Sequence, residues 1–148
     1  MCVSIPIDHF KIEELVDKAT FEYWQHNPSV LWGLFDDRAL ATLVALRRRF
    51  GPCSINDWYW GGSYQYSGFR PPHCSIGAEL SQHKFGRAFD CKFANYSAEE
   101  VRDYVLNHPE EFPYITHIEG DVDWFHFDTR AIPDDVIAPV IFYPKGKK

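Results

Sequence analysis

The sequence has little of several features that define large protein classes. It has only 4 cysteines, Cys2, Cys53, Cys74 and Cys91, and no two of them form a CxxC pair. That spacing argues against zinc-knuckle and disulfide-frame scaffolds and reads as reduced thiols, as in a cytoplasm. No stretch approaches the roughly 18 apolar residues that cross a bilayer, so no membrane insertion is expected. The N-terminus, MCVSIPIDHFKIEEL, lacks the basic start and apolar run of a secretory signal, so synthesis in the cytoplasm is expected. Positive charge is also short: 15 Lys and Arg against 21 Asp and Glu leave a net charge of −6. That balance argues against a large phosphate-binding face, and no nucleic-acid partner is expected. The basic run Arg47-Arg48-Arg49 ends a predicted helix, where it compensates the helix dipole. Internal repeats, low-complexity tracts and linkers are absent, so residues 1–148 read as one domain, expected to be monomeric.

Aromatic residues are plentiful, at 17%, with 5 Trp, 8 Tyr and 12 Phe. Such rings fill cores and also line clefts that grip peptides or sugars. Residues 8–17 predict a short helix. Residues 36–50 predict a longer one, capped by Asp36 or Asp37 and stopped by Gly51-Pro52. A short strand is expected over 53–57, then a turn-rich stretch over 58–82. Residues 87–93 alternate: Ala88, Asp90 and Lys92 share one face, and Phe89, Cys91 and Phe93 the other, giving a half-buried strand with an acid on its open face. Ser97 and Glu100 form a predicted capping box for a helix over 98–108. Strands are expected over 114–118 and 124–129, and VIAPVIFY near the C-terminus reads as an edge strand because of its proline. Helices first, then strands around one helix, predict an α+β domain.

The chemistry is concentrated in a few residues. A catalytic zinc needs three protein ligands from His, Asp or Glu and an open fourth position, where a water's pKa falls to about 7. A carboxylate beside that water serves as general base and then acid. The chain offers His83, then Asp90 on the next strand, and Asp123 three residues before His126. Gly86 permits a tight turn between His83 and the strand. The segment DWFHFD sets His126 among aromatic residues, where an unpaired imidazole is costly to bury.

These residues compose a longer pattern. S-x-H-x-x-G-x-A-x-D is present as Ser81, His83, Gly86, Ala88 and Asp90. SGFR (Ser67 to Arg70) precedes it and D-x-x-H (Asp123 to His126) follows. The pattern resembles the M15 peptidases, which include D-Ala-D-Ala carboxypeptidases and dipeptidases and phage endolysins acting as L-alanyl-D-glutamate peptidases. The likeness spans roughly residues 8–130, including the order of helix, LRRRFGP, strand and SGFR. It implies the fold shared with the Hedgehog signalling domain: a small antiparallel sheet with helices on one face and an open zinc cleft. It also implies one Zn2+ held by His83, Asp90 and His126. Asp123 would be the general base and acid, and Asp at this position leans toward the endolysin branch. Arg70 would stabilise an oxyanion or a substrate carboxylate, and Ser81 would bind substrate or orient the site.

The substrate implied is a peptidoglycan stem peptide, cut by a phage-type lysin that reaches the bacterial cell wall after holin-type release. Two other readings stand beside it: a D-Ala-D-Ala carboxypeptidase or dipeptidase, and a non-catalytic zinc-bearing binding or virion module. One departure from the family is an aromatic and glycine-rich insertion, Trp58 to Tyr66. Trp58, Trp60, Tyr64 and Tyr66 either wall the substrate cleft or cover the core, with Trp60 and Tyr66 as substrate candidates. His73 and Cys74 lie near the motif, and His73 reads more readily as an ordinary residue than as a ligand.

Overall fold

In the computed structural model, which describes residues 7–144, four α-helices accompany five short strands. The helices are α1 (Lys18–Trp24), α2 (Pro28–Trp32), α3 (Asp37–Phe50) and α4 (Ala98–Asn107). The strands are β1 (Cys53–Ser54), β2 (Ala88–Phe93), β3 (His117–Glu119), β4 (Phe125–Asp128) and β5 (Val140–Phe142). They form one sheet in the order β1-β2-β4-β3-β5. The α+β class holds, but the expected antiparallel sheet is corrected. Three pairings are antiparallel, while β3 and β5 run parallel. The chain returns to the sheet edge by a long connection over residues 129–139, and such a crossover brings β5 in alongside β3 in the same direction.

Alternation sorts the two central strands into two faces. Phe89 and Cys91 of β2 and Phe125 and Phe127 of β4 enter one hydrophobic cluster with Leu43 and Leu46 of α3 and Val101 and Val105 of α4. Each such side chain removed from water contributes about 1.5–3 kcal/mol, so this face holds the sheet to the helices. The opposite face carries Asp90, Lys92, His126 and Asp128. Asp90 is not on an open face as expected; it is buried, because the loops before β2 cover it.

The helix expected over 8–17 is a single 3-10 turn at Ile12–Glu14, and α1 starts only at Lys18. The carbonyls of Glu14 and Leu15 are taken by the amides of Asn56 and Phe69, so they cannot accept helical bonds. Asp17 then caps α1 by accepting from the amide of Thr20. Asp36 occupies the N-cap position of α3, yet its carboxylate accepts from the hydroxyl of Thr129 at 2.7 Å, tying the helix to the end of β4. The strand expected over 53–57 is shortened to β1 because Asn56 leaves the sheet. Its side chain donates to the carbonyl of Val16 and accepts from the amide of Ser67, which fixes the SGFR segment. The capping box of Ser97 and Glu100 is formed at α4. Arg47, Arg48 and Arg49 occupy the last turn of α3. Cys53, Cys74 and Cys91 are free thiols, and Cys2 lies outside the described residues. Among the described residues no helix is long and apolar enough to cross a membrane.

Gly86 closes the turn before β2 with φ 67°, and a Cβ there would stand 1.9 Å from the carbonyl oxygen of Leu34. Gly86→Ala is therefore expected to cost more than about 2 kcal/mol, through both the left-handed backbone and the clash. For a domain of this size, that lowers the melting temperature by roughly 4–8 °C or more. A thermal melt unchanged by the substitution would contradict this packing.

Candidate metal centre

Three segments converge on the polar face of the sheet. Antiparallel pairing places Asp90 directly opposite His126. His83 comes from a 3-10 turn, Gln82–Phe85, capped by the Ser81 hydroxyl, which accepts from the amide of His83. That bond holds the backbone of His83. The three expected ligands form a buried group whose donor atoms all lie within 4.8 Å of one another. His126 Nδ1 is 2.8 Å and His83 Nε2 is 3.2 Å from the same atom, Asp90 Oδ1.

The outward nitrogens decide what this arrangement holds. His83 Nδ1 lies 2.8 Å from the carbonyl oxygen of Gly68, which can only accept, so Nδ1 carries the proton. The inward Nε2 of a neutral His83 then points a lone pair at a carboxylate. Protonating it is opposed by complete burial, which holds the His83 pKa below its ordinary value. His126 Nε2 lies 3.0 Å from Asp128 Oδ2, again an acceptor, so the His126 Nδ1 lone pair also faces Asp90. A cation among the three inward atoms satisfies both lone pairs and the carboxylate together. Without one, His126 takes up that charge as a proton. Burial opposes this, but hydrogen bonds to Asp128 and Asp90 outweigh it and raise the pKa to about 9. Burial likewise pushes against ionised Asp90, and the two imidazoles overcome it, holding the carboxyl well below its usual range. The residues fit a metal ion.

The surrounding contacts stiffen these ligands. Asp128 is fully buried and receives a bidentate clamp from Arg130, with Nε 2.8 Å from Oδ1 and Nη2 2.6 Å from Oδ2. A carboxylate behind a ligating imidazole fixes its tautomer and raises its basicity. Asp128 and Arg130 were not singled out from the sequence. The available signal was spacing: His126 and Asp128 alternate along β4 and so share a face, and Arg130 follows two residues beyond the strand's end.

Arg70 is buried and largely committed. Its Nε donates to the carbonyl of Tyr66 at 2.7 Å, Nη1 to Ile76 and Ser81, and Nη2 to Asp90 Oδ2 at 3.4 Å. Four of its five N–H groups are thus engaged, leaving one on Nη2. Asp123 is exposed on the loop before β4, and with Arg70 and Asp90 it lines a cleft of about 540 Å³. A second cavity of about 450 Å³ shares Arg70, Ile76, Asp90 and Trp124 with the first, and contains His83, His126 and Glu119. Glu119 also escaped notice in the sequence; its half-buried carboxyl is raised above the ordinary value by burial.

The aromatic insertion splits between its two expected roles. Trp58 packs on Phe21 and donates from its indole to the carbonyl of Val16, covering the core. Tyr64 and Tyr66 line the cleft. Trp60 does not: it lies in a separate shallow groove with Glu14 and Pro52. His73 stays exposed and does not join the ligand group. No family model, curated protein or solved structure matches the chain.

Zinc, used as the probe, is expected to bind at one equivalent and to raise the melting temperature, since it binds the native state alone. His83→Ala removes that equivalent, while Asp128→Asn keeps it with about 10–100-fold weaker affinity. Calorimetric titration checks both; affinity untouched by Asp128→Asn would show that the carboxylate does not support His126.

Proposed function

We propose that the chain is a zinc-dependent peptidase of the M15 type that cuts peptidoglycan stem peptides as an endopeptidase. The observation that carries this reading is the convergence of His83 Nε2, Asp90 Oδ1 and His126 Nδ1 in a cavity that shares Arg70 and Asp90 with the adjoining cleft, which Asp123 lines. Two imidazoles and a carboxylate are the donor set of catalytic zinc. When bound there, zinc polarises a carbonyl and lowers the pKa of a coordinated water.

The protein side chains supply the remainder. Asp123 accepts the proton from the attacking water as its oxygen bonds to the peptide carbonyl carbon. It then passes that proton to the leaving nitrogen as the C–N bond breaks. The remaining N–H of Arg70 donates to the oxygen that gains negative charge, where a fixed donor is worth several kcal/mol. Asp128 and Arg130 hold the His126 ring in place throughout. The endopeptidase form is favoured over a carboxypeptidase by the shape of the cleft. It does not close beyond Asp123: Asp123 and Lys92 also line a further groove of about 480 Å³ bounded by Tyr96, Glu99 and Arg102. A chain can therefore extend past the cleaved bond.

Digestion of purified peptidoglycan by zinc-loaded protein is expected to release new amino termini. Asp123→Ala is expected to lower the rate by about 10²–10⁴-fold while zinc stoichiometry is unchanged. Release of single D-Ala residues alone, seen by mass spectrometry, would transfer the reading to a carboxypeptidase. Full activity in Asp123→Ala would remove the assigned base.

A further inference from the structure

The cations around the cleft are nearly all committed. Arg70 is tied to Asp90, Arg130 to Asp128, and Arg102 to Glu99 and the carbonyl of Trp124. Lys92 differs. It is half-buried on the polar face of β2, two residues beyond Asp90. Among the described residues its ammonium is in no ion pair. Its partners are neutral: Nζ donates to the Ser67 hydroxyl at 3.1 Å and stands 4.5 Å from the centre of the Tyr64 ring. An ammonium has three donors, so two remain. Lys92 lines both the 540 Å³ cleft and the 480 Å³ groove beyond it, so a chain passing from one to the other crosses this ammonium.

Placing a cation partly out of water with no carboxylate in direct contact is unfavourable, and an arriving anion reverses the balance. The net charge of −6 gives no long-range attraction for an acidic ligand, so recognition of one must be local. We infer that Lys92 is a specificity-determining residue that takes a carboxylate of the substrate, making the cleft selective for acidic peptides. Two residues along a strand span about 7 Å. An extended peptide covers a similar distance in two residues, so the acidic group lies within about two residues of the carbonyl at the metal centre. This inference rests on the peptidase reading for the identity of the ligand as a peptide.

The test uses two probes, the tetrapeptide L-Ala–γ-D-Glu–L-Lys–D-Ala with the glutamate α-carboxylate either free or amidated. Binding is measured by calorimetry on the zinc-loaded full chain carrying Asp123→Ala, so that turnover does not interfere. The free acid is expected to bind about ten-fold or more tightly than the amide, as a charge-assisted hydrogen bond provides. Adding Lys92→Met, which keeps the aliphatic stem, is expected to abolish that ratio and leave amide binding nearly unchanged, while Lys92→Arg preserves most of it. Equal affinity for the two peptides, or no binding of either, overturns the inference. So does a Lys92→Met variant that weakens both peptides equally, since Lys92 would then only brace Ser67 and Tyr64. Cleavage by the unsubstituted protein separates the two levels. A preference for the acid in binding with no new amino termini removes the peptidase reading and leaves the Lys92 contact. Cleavage of both peptides at equal kcat/KM removes Lys92 as a reader and leaves the peptidase.

Discussion

A carboxylate and an imidazole set directly across one antiparallel step, Asp90 opposite His126, form the constraint around which the cleft is organised. Removing an ionised carboxylate from water costs several kcal/mol unless its oxygens are paired. Arg70 pairs Oδ2 of Asp90, and Oδ1 faces both imidazoles, where a cation or a proton on His126 completes the pairing. Each of those partners is in turn anchored, His83 on the Gly68 carbonyl, His126 on Asp128, and Arg70 on the Tyr66 carbonyl. The SGFR segment, the 3-10 turn and the two central strands are therefore joined at a single charged atom group. Slipping the β2–β4 register by one residue would move Asp90 or His126 to the helix-covered face and destroy the arrangement.

The same sheet separates stability from chemistry. The aromatic side chains of β2 and β4 point toward α3 and α4, where burial and close packing fix the strands. The alternate residues are thereby held rigidly on the opposite face with no need to contribute apolar burial. A site built on strands and supported from behind by buried partners keeps its geometry better than one built on loops. The loops contribute what can vary: Asp123 before β4, and Tyr64 and Tyr66 on the far wall. The proposed chemistry belongs to the rigid part together with Asp123, and the proposed substrate choice to the wall and to Lys92.

Much of this was legible in the chain because it depends on local periodicity. The alternation of residues 87–93 placed Asp90 and Lys92 on one face, and the capping box at Ser97 located α4. The stop of α3 at Gly51 was equally plain. The three residues able to hold a metal were named from a motif, and the geometry brings those three together. The helix expected over 8–17 failed for a non-local reason, since the carbonyls of Glu14 and Leu15 bond to residues more than 40 positions away. Trp60 lies outside the cleft because the groove an exposed ring on a turn enters is set by distant segments, here Glu14 and Pro52.

By itself, then, the sequence determined the α+β class, the main helices, the two-faced central strand and the identity of the residues able to hold a metal, because each follows from spacing and side-chain type along a short stretch. Only the tertiary structure decided that β5 joins the sheet parallel to β3, that Asp90 is buried, that Asp128 and Arg130 stand behind His126, and that Lys92 makes no ion pair among the described residues. Those properties depend on which distant groups meet, and a buried charge or hydrogen-bonding group is defined by its partners in space.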